Sequence, residues 1–77
     1  MVMYRDFAAR NARKLHLVGT VRNLTDSSVS VIAEGEESSL LRLLLLLKKG
    51  SVLSRVEEVR VAWSDATGEY TTFTISY

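Results

Sequence analysis

Leucines dominate one short stretch, from Leu40 to Leu47, and this stretch constrains the fold more than any other feature of the sequence. Acidic residues stand in the preceding segment, 35–39, and Lys48-Lys49-Gly50 follows. This order is typical of a helix, because carboxylates suit the start of a helix, cations suit its end, and glycine commonly comes next. At about 100° per residue, one stripe holds four leucines: Leu40, Leu43, Leu44 and Leu47. We therefore expect a helix whose leucine stripe covers a sheet.

Three further leucines, Leu41, Leu45 and Leu46, fall outside that stripe. A small monomer rarely exposes so many leucines to water. Two interpretations fit: the chain self-associates through this helix, or loops and the sheet edge cover these side chains.

A second helix is predicted near the start of the chain, from about Arg5 to Leu15. Apolar residues recur there at helical spacing, and basic residues take the other face and the last turns. The recurring residues are Phe7, Ala8, Ala12 and Leu15. His16 follows, where glycine is the usual stop, so we expect a surface capping residue, and a left-handed conformation there would cost about 1 kcal/mol relative to glycine.

Two neighbouring segments have the alternation of a β-hairpin. Gly19 opens the first strand, Thr20 to Leu24, and the second strand is Val29 to Glu34, with Val29, Val31 and Ala33 on one face. The turn between them, 25–28, is polar but lacks glycine, so we expect its tip to be strained or wide.

Two more strands are predicted in the last part of the chain, Val56 to Trp63 and Tyr70 to Tyr77, with a loop between them. Helix, strand, strand, helix, strand, strand is then the order of elements. This order predicts one α+β domain over residues 1–77, with two helices on one face of a mostly antiparallel sheet.

Composition excludes several classes of function. The 77 residues include one His and no Cys, which argues against disulfides and a structural zinc site. A net charge of +1 lacks the excess of positive charge that is typical of nucleic-acid-binding proteins. The longest apolar run is too short to span a bilayer, and no secretory signal is visible. We expect a soluble, cytoplasmic protein without nucleic-acid or membrane partners.

Two residues could form a phosphate site. Arg5 stands at the predicted start of the first helix, where free backbone N–H groups and the helix dipole favour an anion. Asn23 lies on the strand that follows, and its amide can hold a water molecule. If the two converge, the site would bind a phosphoryl group and position water for in-line attack, without a metal. The alternative is that Arg5 is a solvated residue near a chain terminus.

The order of short motifs resembles that of the acylphosphatases. Val2-x-Tyr4-Arg5 opens a helix, and Leu17-Val18-Gly19-x-Val21-Arg22-Asn23-Leu24 and Val31-x-Ala33-Glu34-Gly35 follow. The second half continues with Arg55-Val56-x-x-Val59-x-Val61-x-Trp63, Thr67-Gly68-Glu69-Tyr70 and Phe73-x-Ile75. The resemblance covers nearly the whole chain.

The resemblance implies a ferredoxin-like sandwich that hydrolyses acyl phosphates to a carboxylate and inorganic phosphate, without a cofactor. It matches Arg5 to the family's phosphate-binding arginine and Asn23 to the asparagine that orients the attacking water. Val2, Met3 and Tyr4 match the end of the loop whose amides hold the phosphate.

The family pattern has a strand and the first part of that loop, roughly G-x-V-Q-G, before the match to Val2. Here the sequence begins at Met1, so we expect the first strand to be absent and a gap to remain between two strands. The last strand, a second chain or a dimer contact could fill it. Two other functions stay open: an impaired family member that self-associates or only binds anions, and a small regulatory domain of the same fold.

Overall fold

The computed structural model describes residues 2–50, 56 and 58–77. Two α-helices and three β-strands are formed by these residues: α1 (Val2–Lys14), β1 (Val18–Asn23), β2 (Val29–Glu34), α2 (Glu37–Lys49) and β3 (Phe73–Ile75). Among the described residues, no helix is both long enough and apolar enough to cross a membrane.

The first helix begins earlier than its predicted start at Arg5. Helix α1 runs from Val2 to Lys14, because Tyr4 stands four residues before Ala8 and extends the buried face by one turn. Its end follows the prediction of an exposed capping residue at His16, and the structure shows that this residue is left-handed, with φ of 60°. The chain then reverses within a short turn and enters β1.

The central strand of the sheet is β1, in the order β2-β1-β3. It pairs with β2 in the antiparallel sense and with β3 in the parallel sense, so the sheet is mixed. The hairpin is formed as predicted, and its tip is strained at Ser27, where φ is 73°. A side chain at Gly19 would collide with the backbone carbonyl of Ile32, which explains the glycine at that position.

Helix α1 lies on all three strands, and α2 packs beside α1. The core is therefore formed mainly under α1, by the buried residues Tyr4, Ala8, Ala9, Ala12, Leu17, Val21, Leu43, Leu47 and Phe73. Helix α2 ends as predicted at Gly50, whose φ of 77° suits glycine and whose N–H donates to the Leu46 carbonyl at 2.9 Å. Of the four leucines in the predicted stripe, Leu43 and Leu47 are buried and Leu40 packs on the core. The stripe was expected to cover a sheet, but α2 packs mainly against α1, which itself lies on the strands.

The predicted strand from Val56 to Trp63 is wrong for its described residues. Residues 56 and 58–63 have no regular secondary structure, and Val61 and Trp63 are exposed. A strand needs a neighbour to satisfy its backbone, and no described strand pairs with this segment. The part of this prediction at 57 lies outside the described residues.

The last strand is shorter than predicted. Of the segment from Tyr70 to Tyr77, only Phe73–Ile75 is assigned to β3. Hydrogen bonds extend its pairing at both ends, from the Gly19 N–H to the Thr72 carbonyl (2.9 Å) and from the Ser76 N–H to the Val21 carbonyl (2.8 Å). Strand β3 itself is thus three residues long, but hydrogen bonding to β1 continues as far as Ser76, next to Tyr77.

Candidate active site

Arg5 occupies a more enclosed position than its place near the start of the sequence suggests. Because α1 begins at Val2, Arg5 lies one turn inside the helix, and its side chain is only 12% exposed. The alternative of a solvated arginine is therefore wrong. A cation shielded to this degree is costly unless an opposite charge or hydrogen-bond acceptors approach it.

The described neighbours of Arg5 leave much of its hydrogen-bonding capacity unused. Its Nε is shielded from water and has no hydrogen-bond partner in the described part of the chain. The nearest Asp6 carboxylate oxygen is 4.0 Å away, too far for a hydrogen bond, and Asp6 is half-exposed. The guanidinium carbon lies 4.6 Å from the centre of the Tyr77 ring, which is a cation–π contact.

Asn23 is the last residue of β1, where it stands opposite Val29 of β2. Its side-chain oxygen Oδ1 is also shielded from water and lacks a hydrogen-bond partner. Within the described residues, Arg5 Nε and Asn23 Oδ1 are the two buried side-chain polar atoms in this condition. Unsatisfied buried polar groups are rare in folded proteins, so two at predicted site residues call for a ligand or water.

The packing of α1 brings these two residues to the same end of the molecule. The turn at His16 makes α1 antiparallel to β1, and each element is about 20 Å long. The start of α1 therefore lies near the end of β1. Two contacts support this direction: Arg13 Nε donates to the Phe73 carbonyl at the start of β3, at 2.9 Å, and Arg5 contacts the ring of Tyr77, two residues beyond the end of β3.

Val2, Met3 and Tyr4 form the first turn of α1, and amides in a first turn have no acceptor inside the helix. The Tyr4 side chain is directed elsewhere. Its hydroxyl is buried and donates to the Leu47 carbonyl of α2 at 2.7 Å. Burial raises the pKa of Tyr4 above its usual value, because it disfavours the phenolate. Only the backbone of Tyr4 is thus available to an anion.

These groups suit a bound phosphoryl group. The guanidinium and the first-turn amides are donors, and both favour negative charge. Asn23 Oδ1 is an acceptor at the same end, which can hold the hydrogen of a water molecule. Such an arrangement can bind phosphate, stabilise the charge that develops on it, and orient a nucleophilic water.

Two shallow clefts border α1. One lies along the side of the helix and includes Asp6, the residue next to Arg5; its lining is Asp6, Ala9, Arg10, Arg13 and Ile75. The other lies at the opposite end of α1 and is lined by Lys14, Leu15, His16, Glu36 and Ser39. No group of three or more His, Asp or Glu side chains that could hold a metal ion occurs among residues 2–50, 56 and 58–77.

Sequence reasoning missed Tyr77 as a neighbour of Arg5. The two residues are at opposite ends of the chain, and only the parallel pairing of β3 with β1 brings them together. The sequence carried no signal for this pairing, since alternation predicts a strand but not which neighbour it takes.

Comparison with known proteins identifies the family. The acylphosphatase family model matches residues 1–75. The chain belongs to the acylphosphatase family. An acylphosphatase of Dehalococcoides mccartyi is 43% identical over 77 residues, which cover 99% of this chain and 85% of that protein. An acylphosphatase of Deinococcus radiodurans is 48% identical over 67 residues, covering 87% of this chain and 77% of that protein.

The fold of this acylphosphatase family member matches a solved relative closely. The crystal structure of acylphosphatase from Bacillus subtilis superimposes with a TM-score of 0.93 at 34% sequence identity. The superposition covers 99% of this chain and 84% of the solved chain. The predicted α+β, ferredoxin-like architecture is therefore confirmed, with two helices and a three-stranded mixed sheet in the described residues.

Proposed function

We propose that this chain hydrolyses acyl phosphates at a site formed by Arg5, Asn23 and the first-turn amides of α1. Membership of the acylphosphatase family supports the reaction. One structural observation carries the site: Arg5 Nε and Asn23 Oδ1 are both shielded and both without a hydrogen-bond partner among the described residues. A phosphoryl group and a water molecule would satisfy both atoms.

Arg5 binds the phosphoryl oxygens in this proposal. Its guanidinium has a planar set of N–H donors that matches two oxygens of a phosphate at once. The amides of Met3 and Tyr4 add donors from the first turn, where the helix dipole also favours the anion. Negative charge grows on these oxygens during transfer, so the same donors stabilise the transition state.

Asn23 orients the attacking water. Its Oδ1 accepts a hydrogen bond from the water, whose lone pair is then directed at phosphorus on the side opposite the acyl oxygen. The new bond joins the water oxygen to phosphorus, the bond from phosphorus to the acyl oxygen breaks, and the water proton passes to solvent. A carboxylate leaves with the bonding electrons. Since carboxylic acids have a pKa of about 4, this group needs no acid to depart.

Hydrolysis of benzoyl phosphate tests the proposal directly. We expect the purified chain to hydrolyse it, and Arg5→Gln and Asn23→Ala each to lose about a hundred-fold or more in kcat/KM. Arg10→Gln and Arg22→Ala are matched controls. Arg10 is an exposed arginine on the same helix, and Arg22 is exposed beside Asn23 on the same strand. Both controls should retain the wild-type rate.

Two outcomes would contradict the proposal. If the folded wild-type chain does not exceed the buffer blank, the chain is not an acylphosphatase, and binding of inorganic phosphate would then indicate an anion-binding protein. If the wild type is active but Arg5→Gln and Asn23→Ala match the controls, the reaction occurs at another site.

We also propose that residues 1–77 form a single domain, because one core joins both helices to the three strands. Self-association through α2 or a strand exchange is a further proposal, supported by the exposed side chains of Leu41 and Leu45. A cytoplasmic location, and the absence of nucleic-acid and membrane partners, stay predictions from the sequence.

A further inference from the structure

Arg5, near the start of α1, contacts Tyr77, which follows the end of β3. The Arg5 guanidinium carbon stands 4.6 Å from the centre of the Tyr77 ring. Tyr77 comes two residues after Ile75, which pairs with Val21 in parallel β3 and β1. The Ser76 N–H donates to the Val21 carbonyl at 2.8 Å, so the pairing continues along β1 toward Asn23. Tyr77 therefore reaches the end of the sheet where Asn23 lies.

Other restraints on the Arg5 head group are weak. Asp6 is its neighbour in sequence, and successive residues on a helix do not face each other. The separation of 4.0 Å between Arg5 Nε and the Asp6 carboxylate is the limit of an ion pair. The Tyr77 ring, whose centre is 4.6 Å from the guanidinium carbon, is the second described group beside the Arg5 head group and lies within the range of a cation–π contact.

A ring holds a guanidinium differently from a carboxylate. A carboxylate would accept hydrogen bonds from the N–H groups and occupy the donors that a phosphoryl group needs. An aromatic ring attracts the cation through its π face and takes no N–H donor through a conventional hydrogen bond. The contact can thus fix the orientation of Arg5 and leave its donors for the substrate.

We propose that Tyr77 is a positioning residue, whose ring orients the Arg5 guanidinium for the phosphoryl group. This inference rests on the proposed function, because it concerns the same site. Tyr77 is otherwise 97% exposed, so its ring adds little to the core. The attraction is therefore of the size measured for exposed cation–π pairs, which corresponds to about a two- to five-fold change in binding.

Substitution of the ring tests the proposal. With benzoyl phosphate as substrate and inorganic phosphate as competitive inhibitor, we expect Tyr77→Leu to raise KM and the phosphate inhibition constant about two- to five-fold. Tyr77→Phe and Tyr77→Trp keep a π face and should remain near the wild-type values. Trp63→Leu is the matched control, since Trp63 is another exposed aromatic residue outside the site and should leave both constants unchanged.

A double-mutant cycle provides a readout that does not depend on activity. Urea unfolding of wild type, Arg5→Gln, Tyr77→Leu and the double variant should show a favourable coupling between the two residues. A purely structural Tyr77 would change stability by the same amount whether or not Arg5 is present. Equal effects of Tyr77→Leu in both backgrounds would overturn the proposal.

The two proposals fail in distinguishable ways. Failure of the proposed function leaves wild type without hydrolysis of benzoyl phosphate. If wild type is active, but Tyr77→Leu has the wild-type KM and phosphate inhibition constant, only the role of Tyr77 is overturned. That role is also overturned if Tyr77→Phe is as impaired as Tyr77→Leu, because the hydroxyl and not the ring would then matter.

Discussion

The side chain of Tyr4 stabilises the fold, so that only its backbone amide is available to the proposed site. Its hydroxyl donates to the Leu47 carbonyl at 2.7 Å and joins α1 to α2, while its amide lies in the first turn of α1. A buried acceptor that loses its donor costs about 1–3 kcal/mol. The hydroxyl of Tyr4 is therefore a stability element placed next to the proposed anion site.

We predict that Tyr4→Phe lowers the free energy of unfolding by about 1–3 kcal/mol, because it leaves the Leu47 carbonyl unpaired. Urea unfolding followed by circular dichroism measures this change. Tyr77→Phe is the control, since its hydroxyl is exposed and its loss should have little effect. Equal stability of Tyr4→Phe and wild type would show that water replaces the lost donor.

The sequence predicts Arg5 and Asn23 as site residues, and this assignment stays a prediction; their surroundings could not be predicted from the sequence. Arg5 and Asn23 were recognisable as a donor near a helix start and an amide on the next strand. The burial of Arg5 was missed because the helix was predicted to begin there, although Tyr4 repeats in phase with Ala8 and Ala12. The contact with Tyr77 depends on pairing between distant segments, which local patterns do not encode.

At the scale of elements, one carboxylate connects the end of β2 to a loop in the last third of the chain. Glu34 accepts hydrogen bonds from the Thr67 N–H and hydroxyl, both at 2.9 Å, and from the Gly68 N–H at 3.4 Å. These hydrogen bonds lower the pKa of Glu34, with the Thr67 backbone bond contributing most. The ionised carboxylate thus attaches the segment 67–68 to the sheet.

The pH dependence of stability follows from the sign of that shift. When the folded-state pKa is below the unfolded-state pKa, the unfolded chain binds more protons than the folded chain at pH values between these two pKa values. The contribution of Glu34 to stability is complete above the unfolded value, about 4.3, and is lost as the pH falls through the folded pKa. We predict that wild type has a higher Tm than Glu34→Gln at neutral pH, and that the difference disappears in acid.

Thermal unfolding of both proteins across the acid range tests this prediction. Glu69→Gln is the control, because Glu69 is an exposed carboxylate in the same loop and accepts no hydrogen bond from a described residue. A difference between wild type and Glu34→Gln that does not vary with pH would contradict the role of the ionised carboxylate.

Elements with their own local signals were predicted well. The hairpin and α2 follow from alternation, turn residues, and helix-end residues such as Gly50. The segment from Val56 to Trp63 alternates just as clearly, yet its described residues form no strand. Alternation of apolar and polar residues indicates that a segment can form a strand. A neighbouring strand must supply the hydrogen bonds, and the order of strands in the sheet determines whether such a neighbour is present.

At the scale of the whole molecule, the described chain leaves two kinds of surface uncovered. Leu41 and Leu45 of α2 are 47% and 68% exposed and stand one turn apart on the same side of the helix. Strand β2 is an edge of the described sheet. It carries a single charged residue, Glu34, and the side chain of its Ile32 is 46% exposed. Natural proteins usually protect such edges with charges or prolines. Both surfaces favour contact with another copy of the chain.

We predict that the purified chain self-associates as its concentration rises, through the face of α2 that carries Leu41 and Leu45. Full burial of a leucine contributes about 1.5–3 kcal/mol, and a symmetric contact would bury these two from each partner. Replacing both with Gln should therefore weaken the association by about ten-fold or more. Sedimentation equilibrium over a wide range of protein concentration measures it for wild type and Leu41→Gln/Leu45→Gln.

The control replaces exposed charges on the same helix and leaves its leucines intact. Arg42→Gln/Lys48→Gln changes two exposed residues of α2, so it should associate like the wild type if the contact is apolar. A wild-type chain that is monomeric at every concentration would exclude self-association. Equal association of the leucine variant and wild type would instead point to the edge of β2, because strand pairing through the backbone does not need the α2 leucines.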